Sequence, residues 1–271
     1  MKSISALGVA SAVSMSFLAS QSVANAASII RINEDAFTPD AGLITFSELP
    51  LDTVNPTYTP NLYGGGLNAP TVTFSGVFQG QTVGLPLFPP GANPSGVVNG
   101  TPTASLALNS SSPVTRITSD ADNPTSPVLS GTPAFNGPVS VLFDIDIAGV
   151  GLDGGFFDAP LGTAITAFGR DGSLLGSVTN TGLGIEFLGL VTDDGQDRIA
   201  GLQFSLVGAE PAGFGIDNLR FGRAGQVTVP DTTPESVPEP MTMLGSLTVG
   251  AFALAFGRKK NQQKNLLAAK V

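Results

Sequence analysis

Histidine, cysteine and tryptophan are all absent from the 271 residues, which limits the chemistry open to this chain. Disulfides, cysteine or histidine nucleophiles, Ser–His–Asp triads and zinc sites with Cys or His ligands are excluded. Carboxylates, hydroxyls, arginines, five lysines and the two tyrosines, Tyr58 and Tyr63, remain. Two carboxylates flanking a bond suffice for glycoside hydrolysis. Asp144 and Asp146 alternate on one predicted strand and would project from one face about 7 Å apart; Glu48 with Asp158 is a second pair. Alternating acids on a half-solvated strand are also simply its polar face, and there is no tryptophan for sugar stacking. The residues therefore point away from an enzyme. Gly64-Gly65-Gly66 and Gly182-Leu183-Gly184 lack a βαβ setting and a following lysine, so phosphate binding is not expected. Asp193-Asp194-Gly195-Gln196-Asp197 resembles a calcium loop but lacks the terminal glutamate, and reads as a solvated turn.

The elements that would carry these residues are short. Gly (34) and Pro (21) make up a fifth of the chain, against a usual share of about 12%. Turns therefore interrupt it constantly, and long soluble helices are not expected. Period-2 apolar series run through Val72, Phe74 and Phe78, through Ser105–Asn109, and through Val139, Val141, Phe143, Ile145 and Ile147. Ala164–Gly169 and Leu174–Val178 flank Arg170-Asp171-Gly172-Ser173, a hairpin signal. Ile185–Val191 and Ile199–Val207 flank the Asp193–Asp197 turn in the same way. The last series, Phe214 to Phe221, is broken at Asp217-Asn218. Residues 84–138 hold ten of the 21 prolines and read as long loops with one or two strands. About ten short strands predict an all-β fold, an antiparallel β-sandwich of jelly-roll type.

Both ends have a different character. Lys2, the apolar stretch Ile4–Leu18 and Ala24-Asn25-Ala26 form a secretory signal peptide over 1–26, so the mature chain is expected to begin at Ala27. Met241–Gly257 is uncharged and, as a helix, would span about 25 Å, near the lower limit for a bilayer. Arg258-Lys259-Lys260 follows and should remain cytoplasmic. All five lysines lie in the two ends. Residues 27–240 hold six arginines against 21 acidic residues, a net charge of −15 that repels nucleic-acid backbones.

Pro238-Glu239-Pro240, the apolar segment 241–257 and the basic cluster Arg258, Lys259, Lys260 together resemble the PEP-CTERM sorting signal. The resemblance implies a helix that parks the chain in the bacterial inner membrane. It also implies an exosortase, a transpeptidase-like membrane enzyme, that cuts near Pro-Glu-Pro and delivers the ectodomain to the cell surface or extracellular matrix. Members usually end soon after the basic cluster, whereas here 261–271 adds a cytoplasmic tail. The expected layout is signal peptide 1–26, sandwich ectodomain 27–224, Pro/Thr-rich linker 225–236, sorting signal 237–260 with transmembrane helix 241–257, and tail 261–271. Residues 156–222 look like the C-terminal half of a jelly-roll domain recurrent in such proteins, and Leu43–Glu48 resembles its first strand. Related carbohydrate-binding modules place a structural calcium between first and last strands; the matching positions are Glu48 and Asp217, with Asn218. The expected role is a non-enzymatic exported protein displayed in the exopolysaccharide layer. A glycan-binding module and, further off, a glycoside hydrolase are the alternatives.

Overall fold

The computed structural model describes residues 28–84, 96–120, 127–210 and 213–231. In its first half the strands are short: β1 (Ile29–Ile32), β2 (Gly42–Ile44), β3 (Thr57–Tyr58), β4 (Val72–Ser75), β5 (Thr82–Gly84), β6 (Val97–Asn99), β7 (Arg116–Thr118) and β8 (Val128–Ser130). Longer ones follow: β9 (Val139–Ile147), β10 (Gly149–Phe157), β11 (Thr163–Phe168), β12 (Leu174–Thr179), β13 (Gly184–Thr192), β14 (Ile199–Leu206) and β15 (Gly215–Gly222). Glu34–Ala36, a single 3-10 turn, is the only helical element among the described residues.

The strands form two sheets, antiparallel but for the single-residue β6–β14 pairing. One runs β1-β13-β10-β15-β8-β7, with β2 also on β15; the other runs β12-β11-β14-β9-β4-β3, with β6 on β14 and β5 on β6. Inward residues of both sheets meet in one apolar core. Val150, Leu152, Leu188, Ile216 and Phe221 of the first pack with Phe74, Phe143, Ile165, Leu202 and Phe204 of the second. The fold is thus an all-β sandwich, each strand burying the apolar half of its alternation.

Several expectations need correction. The Asp193–Asp197 turn is not a hairpin: β13 lies in the first sheet and β14 in the second, so this segment is an arch between layers. Ser28 Oγ donates to Asp193 Oδ2 (2.6 Å) and Arg198 pairs with Asp194 (2.6 Å), fixing it. Ser105–Asn109 is not a strand; only Leu108 forms a bridge, to Phe78. Its alternation buries Leu106 with Phe78, Phe168 and Ala200 in a separate small cluster.

Ile145 does not join the inward series of β9; it is 36% exposed. Between the Leu142–Gly201 and Ile147–Ile199 pairs the register with β14 shifts, and β9 bulges. Arg170 fills the bulge, donating from Nη2 to the Phe143 carbonyl (2.7 Å) and from Nε to Asp146 Oδ1 (2.9 Å). The described parts of 84–138 carry three complete short strands, β6, β7 and β8, one more than expected.

The packed body also continues past 224. Val227 bridges Phe37 and is buried with Ile32 and Val191, and Gln226 Nε2 donates to the Asp40 carbonyl (2.8 Å). The compact unit ends at Val229, so residues 225–229 belong to the body rather than to a linker.

Candidate functional site

Pro238, Glu239, Pro240, Arg258, Lys259, Lys260, segment 241–257 and the signal peptide 1–26 lie outside the described residues. Among the described residues no helix is long and apolar enough to cross a membrane.

Of the carboxylates singled out for hydrolysis, those of Asp144, Asp146 and Glu48 are engaged separately. Asp144 Oδ1 accepts from the Thr71 backbone N–H (2.7 Å), while Asp146 pairs with Arg170 (2.5 Å). Glu48 Oε1 accepts from the Thr45 N–H and hydroxyl, both at 2.9 Å. The Asp158 backbone N–H is held by Glu210 Oε1 (3.0 Å). All six arginines of the body form ion pairs, with Glu186, Asp52, Asp146, Asp194, Glu34 and Asp197. Such half-exposed pairs each contribute at most about 1 kcal/mol; their effect here is to fix turns and bulges.

At Asp217-Asn218 the chain makes a β-bulge. Asn218 adopts φ 47°, and the pairing of β15 with β10 slips between Arg220–Gly151 and Asp217–Asp153. The outer edge of β15 changes partner at the same place, from β8 opposite Ile216 to β2 opposite Leu219. The expected adjacency of the Leu43–Ile44 strand and the last strand is therefore present. Asn218 Nδ2 donates to Asp153 Oδ2 (2.8 Å), and its backbone N–H donates to Asp217 Oδ1 (2.7 Å). Asp217 is 3% exposed. Glu48 lies on the turn leaving β2, and its Oε2 is buried without a hydrogen-bond partner. Tyr58 Oη is likewise buried and unpartnered, and burial together with the Glu48 charge pushes its phenol pKa up. Among the described residues no three acidic side chains cluster as metal ligands.

Asp153 was not singled out by the sequence reading, yet it sits directly opposite Asp217 in the β10–β15 ladder. Burial pushes its carboxyl above the usual range, partly offset by Asn218. A raised acid destabilises the fold once ionised, so stability is lost as pH rises through its folded pKa. Asp153→Asn, which keeps an acceptor for Asn218, should therefore melt a degree or two higher than the native chain at pH 7. The gain should vanish below the ordinary aspartate range, near pH 3; an unchanged melt at pH 7 would refute this.

An opening of about 800 Å³ lies between the 63–70 loop and the segments 39–43 and 222–226. Tyr63 builds the loop. Its ring packs edge-on to Phe221 (5.2 Å between centroids), and its hydroxyl donates to the Pro70 carbonyl. Gly65 lies against that ring, where a Cβ would come within 2.5 Å of it. The opposite rim is a network: Arg223 donates from Nε to Asp197 Oδ2 (2.8 Å), and its backbone N–H donates to Gln226 Oε1 (2.9 Å). The signal in the sequence is Gly64-Gly65-Gly66, not expected as a phosphate loop, flanked by Tyr63 and Asn68. Comparison with protein-family models, curated proteins and solved structures finds no match to this chain.

Proposed function

We propose that this is an exported, non-enzymatic protein of the PEP-CTERM class whose jelly-roll sandwich is displayed in the exopolysaccharide layer after exosortase processing. The observation that carries the reading is the ordered run of Pro238-Glu239-Pro240, uncharged 241–257 and Arg258-Lys259-Lys260 after a signal-like N-terminus. The fold is in keeping with display. The strongly acidic body has its arginines committed to ion pairs, and its sorting tripeptide lies nine residues beyond the end of the compact unit at Val229. Before processing, the apolar helix anchors the chain in the inner membrane with the basic cluster inside. Mass spectrometry of the two termini of the exported protein tests this. The expected result is an N-terminus at Ala27 and a C-terminus near Pro-Glu-Pro; an intact C-terminus on the cell surface would overturn it.

The buried, unpartnered Glu48 Oε2 favours one addition, a structural calcium held by Glu48 and Asp217. Asn218 is a weaker donor, since its amide is directed at Asp153. An ion bound only by the folded state stabilises it by about 2.7 kcal/mol at a hundredfold excess over Kd. Chelator should then lower the melting temperature of the full chain by several degrees, and Glu48→Gln should remove the difference. Identical melts with calcium and with chelator would end the proposal.

A further inference from the structure

We infer that the groove between the 63–70 loop and the 222–226 segment binds a neutral oligosaccharide. Its volume, about 800 Å³, falls in the range of built ligand sites and accommodates several sugar rings. Charge narrows the ligand. Arg223, the one cationic residue of the lining, is bound to Asp197 through Nε (2.8 Å) and Nη2 (2.7 Å). The second carboxylate, Asp40, accepts from Thr38 Oγ1 (2.5 Å) and from Gln226 Nε2 (3.3 Å). These bonds hold its pKa below the usual range, so it is an anion at neutral pH. A lining with two carboxylates and one committed guanidinium repels phosphate, sulfate and uronate groups. Its carboxylates offer acceptors and the Asn68 amide both a donor and an acceptor, which suits hydroxyl groups that can do either.

The groove is also shaped in advance. Gln226 is held from both ends, accepting from the Arg223 N–H and donating to the Asp40 carbonyl, so little side-chain entropy is lost on binding. Tyr63, half-buried in the lining and backed by the core ring of Phe221, supplies apolar surface for the C–H face of a sugar ring. The 63–70 loop itself is left open by glycine. A Cβ at Gly66 meets nothing within 4 Å, so a larger residue at this position would occupy free space rather than clash with the fold.

This inference deepens the surface-display reading by naming a partner class and its site, and it rests on that reading only for where the sugar is met. The test uses the full chain, purified in a zwitterionic detergent because sugar-headed detergents would compete. Calorimetric titration with neutral gluco-, galacto- and manno-tetrasaccharides, a tetragalacturonate and spermidine separates the classes. At least one neutral tetrasaccharide is expected to bind, and tetragalacturonate and spermidine are not. Gly66→Leu should weaken that binding about tenfold or more by filling the groove, and Asn68→Ala about tenfold by removing a hydrogen bond to the ligand. Gly66→Leu should leave the melting temperature unchanged, because its Cβ has free space. Binding by none of the neutral sugars, preference for the uronate or the amine, or affinity unchanged in both variants would each overturn the assignment. Correct C-terminal processing without sugar binding would remove this inference alone, and sugar binding without processing would remove only the sorting reading.

Discussion

Replacing Glu239 with alanine is expected to leave the chain in the inner membrane at its longer mass, with release into the medium or surface layer lost. Glu239 is the only charged residue of the Pro238-Glu239-Pro240 tripeptide. An enzyme that reads such a segment has one ionised group to grip. A hydrogen bond to a charged group contributes about 1.5–3 kcal/mol, so its loss should slow cleavage roughly ten- to a hundredfold. The N-terminus should still begin at Ala27 in the variant, because signal removal reads a different segment. That separates a sorting defect from an export defect. Replacing Gln263 with alanine, outside the signal, should have no effect and serves as the control. Release of Glu239→Ala equal to that of the native chain would remove the exosortase reading.

The fold class was legible because alternation is a local property. β9, β11, β12, β14 and β15 lie close to where period-2 apolar spacing put them. Which sheet a strand joins is not local. β13 and β14 are separated by a Gly- and Asp-rich turn like that of a hairpin, yet they lie in opposite layers, and the turn chemistry is the same in both cases. Ile145 shows a second limit: the alternation of β9 is continuous in sequence, but the Phe143–Asp146 bulge depends on Arg170 reaching back 27 positions to satisfy the Phe143 carbonyl. β1 was missed because four residues just after a signal sequence carry little pattern of their own; it is defined by pairing with β13. Residues 225–229 contain glycine and precede a proline-rich stretch, and it is distant neighbours, Phe37 through its bridge and Ile32 and Val191 through packing, that make Val227 part of the body.

The candidate site was legible in a different way. The break at Asp217-Asn218 was visible as lost alternation, and the structure gives its cause: β15 exchanges β8 for β2 along one edge at that point. Asp153 could not be found from sequence, because its significance is its register opposite Asp217, 64 positions away. The groove was hidden for a similar reason. Its two walls come from residues about 160 positions apart, and each wall alone looks like an ordinary loop.

Phe204→Ala should destabilise the body more than any change at the surface. Phe204 lies on β14 with no exposed surface, and its ring meets Phe214 edge-on (4.9 Å) and Phe157 at a tilt (6.2 Å). Phe157 belongs to β10 of the facing sheet, so this ring is one of the points where the two layers interlock. Gly154 of β10 lies against the same rings, since a Cβ there would come within 2.7 Å of Phe157 and 3.3 Å of Phe204. Truncation removes the transfer energy of the ring and leaves a cavity that flanking strands, tied by ladders on both sides, cannot close. The expected cost is about 3–5 kcal/mol, a large share of the roughly 5–15 kcal/mol that holds a domain folded. For a body of this size that corresponds to a fall in melting temperature on the order of 10 °C, readable by calorimetry on the full chain. Phe204→Leu retains most of the volume and should lose less than half as much. Leu67→Ser, at a fully exposed loop tip, should change the melt by no more than a degree or so. A Phe204→Ala melt as small as that of Leu67→Ser would mean that the two sheets do not pack through this ring.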